Sequence, residues 1–239
     1  MCTITLVPHP DSLNGFVLTS NRDEAVSRVS LSPQMHTYRG RKLFFPKDKK
    51  AGGTWIGVSE NLRCVCLMNG AEKPHIRESD YRKSRGVVVK DFLVGKKLKK
   101  LLRDYELSGI EPFTMIVVDW HNGLMFTELI WDGTERKLIK LPLKEHIWSS
   151  SPLYTEEMKS RRKKWFEDLK HSEGFSAKTL LEFHQNAGEG NKESDLIIDR
   201  GFLKTQSITQ VFNTREKLKF WYKNLINNEV TEDYIQFRA

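Results

Sequence analysis

Residues 1–24, MCTITLVPHPDSLNGFVLTSNRDE, decide how the rest of this 239-residue chain is read. Thr3 to Val7 and Phe16 to Ser20 are short apolar runs with β-branched residues, separated by Pro8, Pro10 and Asn14-Gly15. Two such runs around an Asn-Gly turn predict a β-hairpin. The tetrad Asn21-Arg22-Asp23-Glu24 follows the second run, so the hairpin returns Arg22 and Asp23 to the level of Cys2. Cys is small enough for the initiator methionine ahead of it to be trimmed, and Cys2 then carries the free α-amine. A thiol and an amine on one residue are a nucleophile and its base. A guanidinium nearby favours thiolate, and a carboxylate can orient the ammonium. An amine titrating near ~8 predicts activity that rises toward mildly alkaline pH. The competing accounts are an incidental second-position Cys and a strand-end salt bridge between Arg22 and Asp23, worth about 1 kcal/mol or less if exposed.

Composition narrows the classes. The chain is long enough for one large domain, and no repeat, low-complexity tract or Pro/Gly/Ser-rich linker divides it, so a single domain over 1–239 is expected. An excess of 39 basic over 31 acidic residues leaves +8, which permits anionic partners without selecting one. Three cysteines exclude a disulfide scaffold, and Cys64 and Cys66, a C-x-C pair on an apparent strand, point to one face as buried thiols. The seven histidines are scattered without metal-ligand spacing, so no metal and no cofactor are assigned. With no signal-peptide pattern and no run of about eighteen apolar residues, a cytoplasmic protein without a transmembrane segment is the default.

Further along, residues 25 to 50 lose periodicity and carry Pro33, Gly40 and Pro46 among many Arg and Lys, which reads as a long loop, either a binding segment or simply solvated. Thr54 to Ser59 and Arg63 to Asn69 form a second hairpin around Glu60-Asn61, with Gly52-Gly53 marking a tight turn or a close backbone approach. A helical pattern runs from Ser79 to about Leu107, split at Gly95, with Lys96-Lys97 and Lys99-Lys100 on the wet face of its second half. Phe113 to Asp119, Leu124 to Trp131 and Glu135 to Leu141 form a strand meander, turned at His121-Asn122-Gly123 and Asp132-Gly133. His146 to Ser149 is a further short strand. Thr155 opens a helix to about Lys170, and Ser176 caps another to about Asn186, where His184 is a packed or surface histidine. Gly188 to Ser194 is a mobile loop. Ser207 to Phe212 and Lys217 to Lys223 pair as a last hairpin ahead of a polar tail. The order of strands and helices defines an α+β chain.

The start MCT, the tetrad Asn21-Arg22-Asp23-Glu24 and the segment Ala51-Gly52-Gly53-Thr54-Trp55-Ile56-Gly57-Val58 together resemble the NRDE family, which includes the transport and Golgi organisation protein 2 group. More distantly the chain is similar to cysteine N-terminal-nucleophile (Ntn) hydrolases of the choloylglycine hydrolase and penicillin V acylase type, which also begin Met-Cys-Thr. The resemblance implies a four-layer αββα sandwich of two antiparallel sheets between helical layers. It also implies that Arg22 and Asp23 contact the nucleophile and its amine. Asn69 resembles the Asn that follows the corresponding strand in those hydrolases and would donate to the oxyanion, typically worth ~3 kcal/mol. Read without the resemblance, Asn69 is a turn residue before Gly70. Where those hydrolases have a second Asn in a Thr-Asn-Ser-Pro-like stretch, this chain has Ser149-Ser150-Ser151-Pro152, with Ser150 at the Asn position. Asn21, Trp55 and Ser150 are placed on the substrate side, Trp55 as a pocket-wall or core aromatic.

Three functions follow as expectations. The first is a cysteine Ntn amidohydrolase acting on a non-peptide acyl-amide bond through Cys2, or an acyltransferase if an amine replaces water. The second is a non-catalytic trafficking or carrier protein using the same cleft for a haem-like or lipid-like ligand. The third, an anionic-lipid or nucleic-acid binder, rests on charge alone, and no specific nucleic acid is assigned.

Overall fold

The structure, a computed structural model, describes residues 2–9, 12–78, 80–214 and 216–237, with residue 2 described by its backbone alone. In chain order the described residues form β1 (Cys2–Pro8), β2 (Phe16–Ala25), β3 (Ser30–Tyr38), β4 (Arg41–Asp48), β5 (Ile56–Ser59) and β6 (Arg63–Asn69). Helices α1 (Arg85–Val94) and α2 (Leu98–Asp104) follow, then β7 (Phe113–Asp119), β8 (Met125–Trp131), β9 (Arg136–Leu141) and β10 (His146–Ser149). The chain continues through α3 (Glu156–Ser172), α4 (Ala177–Asn186), β11 (Leu203–Asn213), β12 (Leu218–Asn224) and β13 (Val230–Tyr234). These elements fall into two compact units, one made of residues up to Arg28 with Lys144–Ile235, the other centred on Val29–Leu143.

The first unit is a six-stranded antiparallel sheet in the order β10-β1-β2-β11-β12-β13. Helices α3 and α4 cover one of its faces, where Val7 and Val17 meet Phe166, Leu180, Phe183 and Leu196 in a buried cluster. Both helices start on caps that the sequence marks. Thr155 accepts from the Met158 amide, and Ser176 forms a reciprocal box with Thr179. The second unit is a seven-stranded meander, β3 to β9 in sequence order. Val88, Phe92 and Leu93 of α1 and Leu98 and Leu102 of α2 pack on Val65, Leu67, Met115, Val117 and Leu129 of its central strands.

Four expectations need correction. Residues 25–50 are not a loop but contain β3 and β4. Strand β3 is the sheet edge, so most of its residues stay partly or fully exposed and no clean alternation appears. Pro33 and Pro46 both lie in the stretch where the β3–β4 register shifts, between Leu31 and Gln34, so neither interrupts a regular ladder. Arg39 and Gly40 close this hairpin with φ of 51° and 74°, as a two-residue primed turn requires. The tail after β12 holds β13, another edge strand, paired from Lys219↔Tyr234 to Lys223↔Val230. Helix α1 starts at Arg85; Ser79 lies outside the described residues, and Arg82 is held in a non-helical turn by the Gly109, Ser108 and Glu106 carbonyls. Finally, the tetrad Asn21–Glu24 lies inside β2 rather than after it, because β11 continues to pair alongside.

Two other expectations meet their physical cause. A Cβ on Gly53 would come within 2.8 Å of the Gly86 backbone, so the Gly pair marks a backbone crossing over the start of α1. Cys64 and Cys66 are both fully buried in β6. No helix among the described residues is long and apolar enough to cross a membrane.

Candidate functional site

The β1–β2 ladder runs from Pro8↔Phe16 to Cys2↔Arg22, so Cys2 sits at the open end of the hairpin in register with Arg22. On the other side of β2, β11 places Ser207 against Arg22 and Thr205 against Asp23, with Gln206 as the extra residue where the register shifts. A bulge of this kind re-aims side chains at a sheet end. The Arg22 guanidinium donates to Gln206 Oε1 (3.1 Å) and to the Arg28 carbonyl (2.9 Å), and Gln206 in turn donates to the Ala25 carbonyl. Strand alternation divides the tetrad. Asn21 and Asp23 share the helix-covered face with Val17, and Arg22 takes the opposite one.

On the helical face Asn21 is fully committed. Its Nδ2 donates to the carbonyls of His184 (3.1 Å) and Leu196 (2.8 Å). Its Oδ1 must therefore accept from His184 Nδ1 at 2.6 Å, and with the ring kept neutral by burial His184 Nε2 accepts the Thr5 hydroxyl at 2.8 Å. His184 is thus a neutral imidazole with its proton on Nδ1. Complete burial, helped by the nearby Arg162 charge, depresses its pKa to about 3.

Asp23 is equally enclosed. Its Oδ2 accepts the Tyr154 hydroxyl at 2.5 Å and its Oδ1 the Thr205 hydroxyl at 2.7 Å. Burial raises the carboxyl pKa above the ordinary value, against the pull of these two bonds and of Arg162. Tyr154 arrives from a turn after β10, where the Ser150 carbonyl accepts the amides of Leu153 and Tyr154. Ser150 is itself buried, and the preceding Ser149 hydroxyl lies 3.4 Å from that of Thr3. Arg162 of α3 has no exposed surface. It donates to the Thr3 hydroxyl (2.6 Å) and to the Ser194 and Asp195 carbonyls, and its guanidinium carbon lies 3.6 Å from the centre of the Tyr154 ring. The same bonds pin the far end of the Gly188–Ser194 segment.

Cys2, Asn21, Arg22, Asp23 and Ser150 therefore belong to the six-stranded unit. Asn69 and Trp55 belong to the seven-stranded one. Asn69 is the last residue of β6, opposite Phe113, and Gly70 beyond it takes a φ of 83° with its amide on the Pro112 carbonyl. Trp55 is buried ahead of β5, and its carbonyl accepts the Leu67 amide.

Sequence reasoning missed Arg162, Tyr154, Thr205 and Gln206, and left His184 without a role. Arg162 hides in the run Arg161-Arg162-Lys163-Lys164, which looks solvated. The available signal was its helical spacing, since Met158, Arg162 and Phe166 are each four apart on the buried side of α3.

Two antiparallel sheets with paired helices are also the architecture of several solved hydrolases. Penicillin V acylase from Agrobacterium tumefaciens aligns with a TM-score of 0.55 at 10% identity, over 98% of this chain and 86% of its own. The C2A mutant of conjugated bile acid hydrolase from Clostridium perfringens aligns at 0.59 and 8% identity, over 100% and 94%. The Caenorhabditis elegans ortholog of N-acylethanolamine-hydrolysing acid amidase aligns at 0.58 and 11% identity, over 87% and 92%. These likenesses define the class: the chain has the α+β sandwich fold of Ntn hydrolases. No curated protein matches it in sequence. A family model, Transport and Golgi organisation 2, matches residues 1–233, and the chain belongs to that family.

Proposed function

We propose that this protein is a cysteine Ntn amidohydrolase acting on a linear acyl-amide C–N bond through Cys2. The single observation that carries this reading is the register of Cys2 against Arg22 at the open end of β1–β2, one residue from the Asp23 carboxylate. After removal of Met1, the Cys2 sulfur attacks the acyl carbonyl and its α-amine takes the thiol proton. The amine then passes that proton to the leaving nitrogen as the C–N bond breaks, and water attacks the thioester to release the acid and free the thiol. Arg22 favours the thiolate and Asp23 holds the ammonium, while a backbone N–H receives the oxyanion. Asn21, committed to His184 and Leu196, braces β2 against α4 rather than touching substrate, and Ser150 acts as a wall. The names of the structural neighbours, which specify penicillin V, conjugated bile acid and N-acylethanolamine, suggest an acylated amine as the substrate class.

Intact-mass measurement and substrate turnover test it together. The expected result is a protein lacking Met1 that hydrolyses at least one N-acylethanolamine, acylated amino acid or conjugated bile acid, with Cys2→Ala inactive and Arg22→Ala slower in both turnover and Cys2 alkylation. Retained Met1 with no turnover overturns the reading. Ser150 favours a carrier as the second reading, because its hydroxyl donates one hydrogen where the Asn of the resembling hydrolases offers two. A carrier with retained Met1 would bind haem or a fatty-acyl amide stoichiometrically and return it unchanged.

A further inference from the structure

Arg162 presents an unusual balance of charge. Its guanidinium is fully buried, yet its hydrogen bonds to the described residues Thr3, Ser194 and Asp195 all go to neutral oxygens, a hydroxyl and two carbonyls. A buried cation without a compensating anion is costly. The compensation lies one ring away, because the Tyr154 ring under Arg162 delivers its hydroxyl to Asp23. Arg200 flanks the same ring at 5.6 Å and ties its own chain to the Leu153 and Glu193 carbonyls. Arg162 thus grips two points at the open end of the hairpin at once, Thr3 beside Cys2 and, through Tyr154, the Asp23 carboxylate.

We infer that Arg162, acting through Tyr154, is a positioning residue for Asp23, aiming its carboxyl and favouring the carboxylate form against burial while fixing the Cys2–Thr3 end of β1. This rests on the reading of Asp23 as the partner of the Cys2 amine. The groups that face Asp23 are Tyr154 from the β10–α3 turn, Arg162 from α3 and the non-titrating Thr205 from β11, while Arg200, from the turn before β11, lies against the Tyr154 ring. Lys204, opposite Glu24, is paired with Asp199 at 2.9 Å. Removing either the phenol donor or the guanidinium charge must push the carboxyl pKa upward.

The test follows Asp23 by carbon-detected NMR titration, its signal assigned by its loss in Asp23→Asn, alongside the pH profile of Cys2 alkylation by iodoacetamide. Tyr154→Phe keeps the ring beneath Arg162, and it is expected to raise the Asp23 midpoint by about one pH unit. Arg162→Met is expected to raise it as well, and Arg162→Lys, which keeps the charge, to restore it. A natively folded Tyr154→Phe protein with an unmoved Asp23 midpoint overturns the inference, whether or not Arg162→Met folds. A midpoint that moves while the alkylation profile stays fixed upholds the Arg162–Tyr154–Asp23 coupling and overturns Asp23 as the partner of the amine.

Discussion

At the scale of single residues, His184 shows how burial converts a titratable group into a structural one. Its ring gives one hydrogen bond to Asn21 and receives one from Thr5, and a second proton would place a positive charge in a fully buried site. The folded pKa of about 3 lies below the unfolded value near ~6.5, so the unfolded chain binds the proton first as the solution is acidified. Stability carried by neutral His184 is complete above about pH 6.5 and is lost as pH falls, by about 1.4 kcal/mol per unit. Asp23 works with the opposite sign, since its raised carboxyl contributes most below about pH 4 and least once pH exceeds its folded value. Comparing variant with native protein at each pH separates the two. In urea unfolding, His184→Gln should be less stable than native at pH 7 but lose about 2 kcal/mol less between pH 6.5 and 4.5. Equal slopes for the two proteins would remove His184 from the acid response.

At the scale of elements, the most constrained contact in the seven-stranded unit is a crossing of two glycines. The Thr54 amide donates to the Gly86 carbonyl, and the Gly53 and Gly86 backbones meet where any Cβ would intrude to 3.0 Å or less. Gly86→Ala should therefore cost about 1–3 kcal/mol despite the better helix propensity of Ala, as measured by chemical denaturation. A neutral or stabilising outcome would mean that the crossing is slack. Arg63 fastens the other end of α1, donating to the Phe92 and Gly95 carbonyls while pairing with Asp119 at 3.0 Å. A buried cation at a helix C-terminus satisfies orphan carbonyls and opposes the negative end of the dipole. Helix α1 is thus pinned at both ends to the sheet it covers.

At the scale of the molecule, two of the three cysteines are sealed inside a sheet. Cys64 and Cys66 lie in β6, a central strand between β5 and β7, and burial pushes the Cys64 thiol far up. Their exposure requires unfolding of the sheet, so they should react with a disulfide reagent about 10³-fold or more slowly than in the denatured chain. Thiol labelling of native protein then reports Cys2 alone, which is what the alkylation experiments need. Fast labelling at Cys64 or Cys66, located by peptide mapping, would contradict the burial of β6.

The hairpins at Asn14-Gly15 and Asp132-Gly133, the helix starts at Thr155 and Ser176, and the helix break at Gly95 were legible in the amino-acid order, because turns and caps are made by residues a few positions apart. So was the coincidence of Cys2 with Arg22, which needs only a hairpin and a strand period of two. Strands β3 and β13 were not legible, since an edge strand packs only part of its surface and its sequence keeps the look of a loop. The division of the tetrad, with Asn21 and Asp23 beneath the helices and Arg22 on the other face, needed β11 to extend β2. The partners of Asp23 lie 131 and 182 residues away in the chain. Only folding sets such distances, and a buried charge finds its countercharge in three dimensions rather than along the chain.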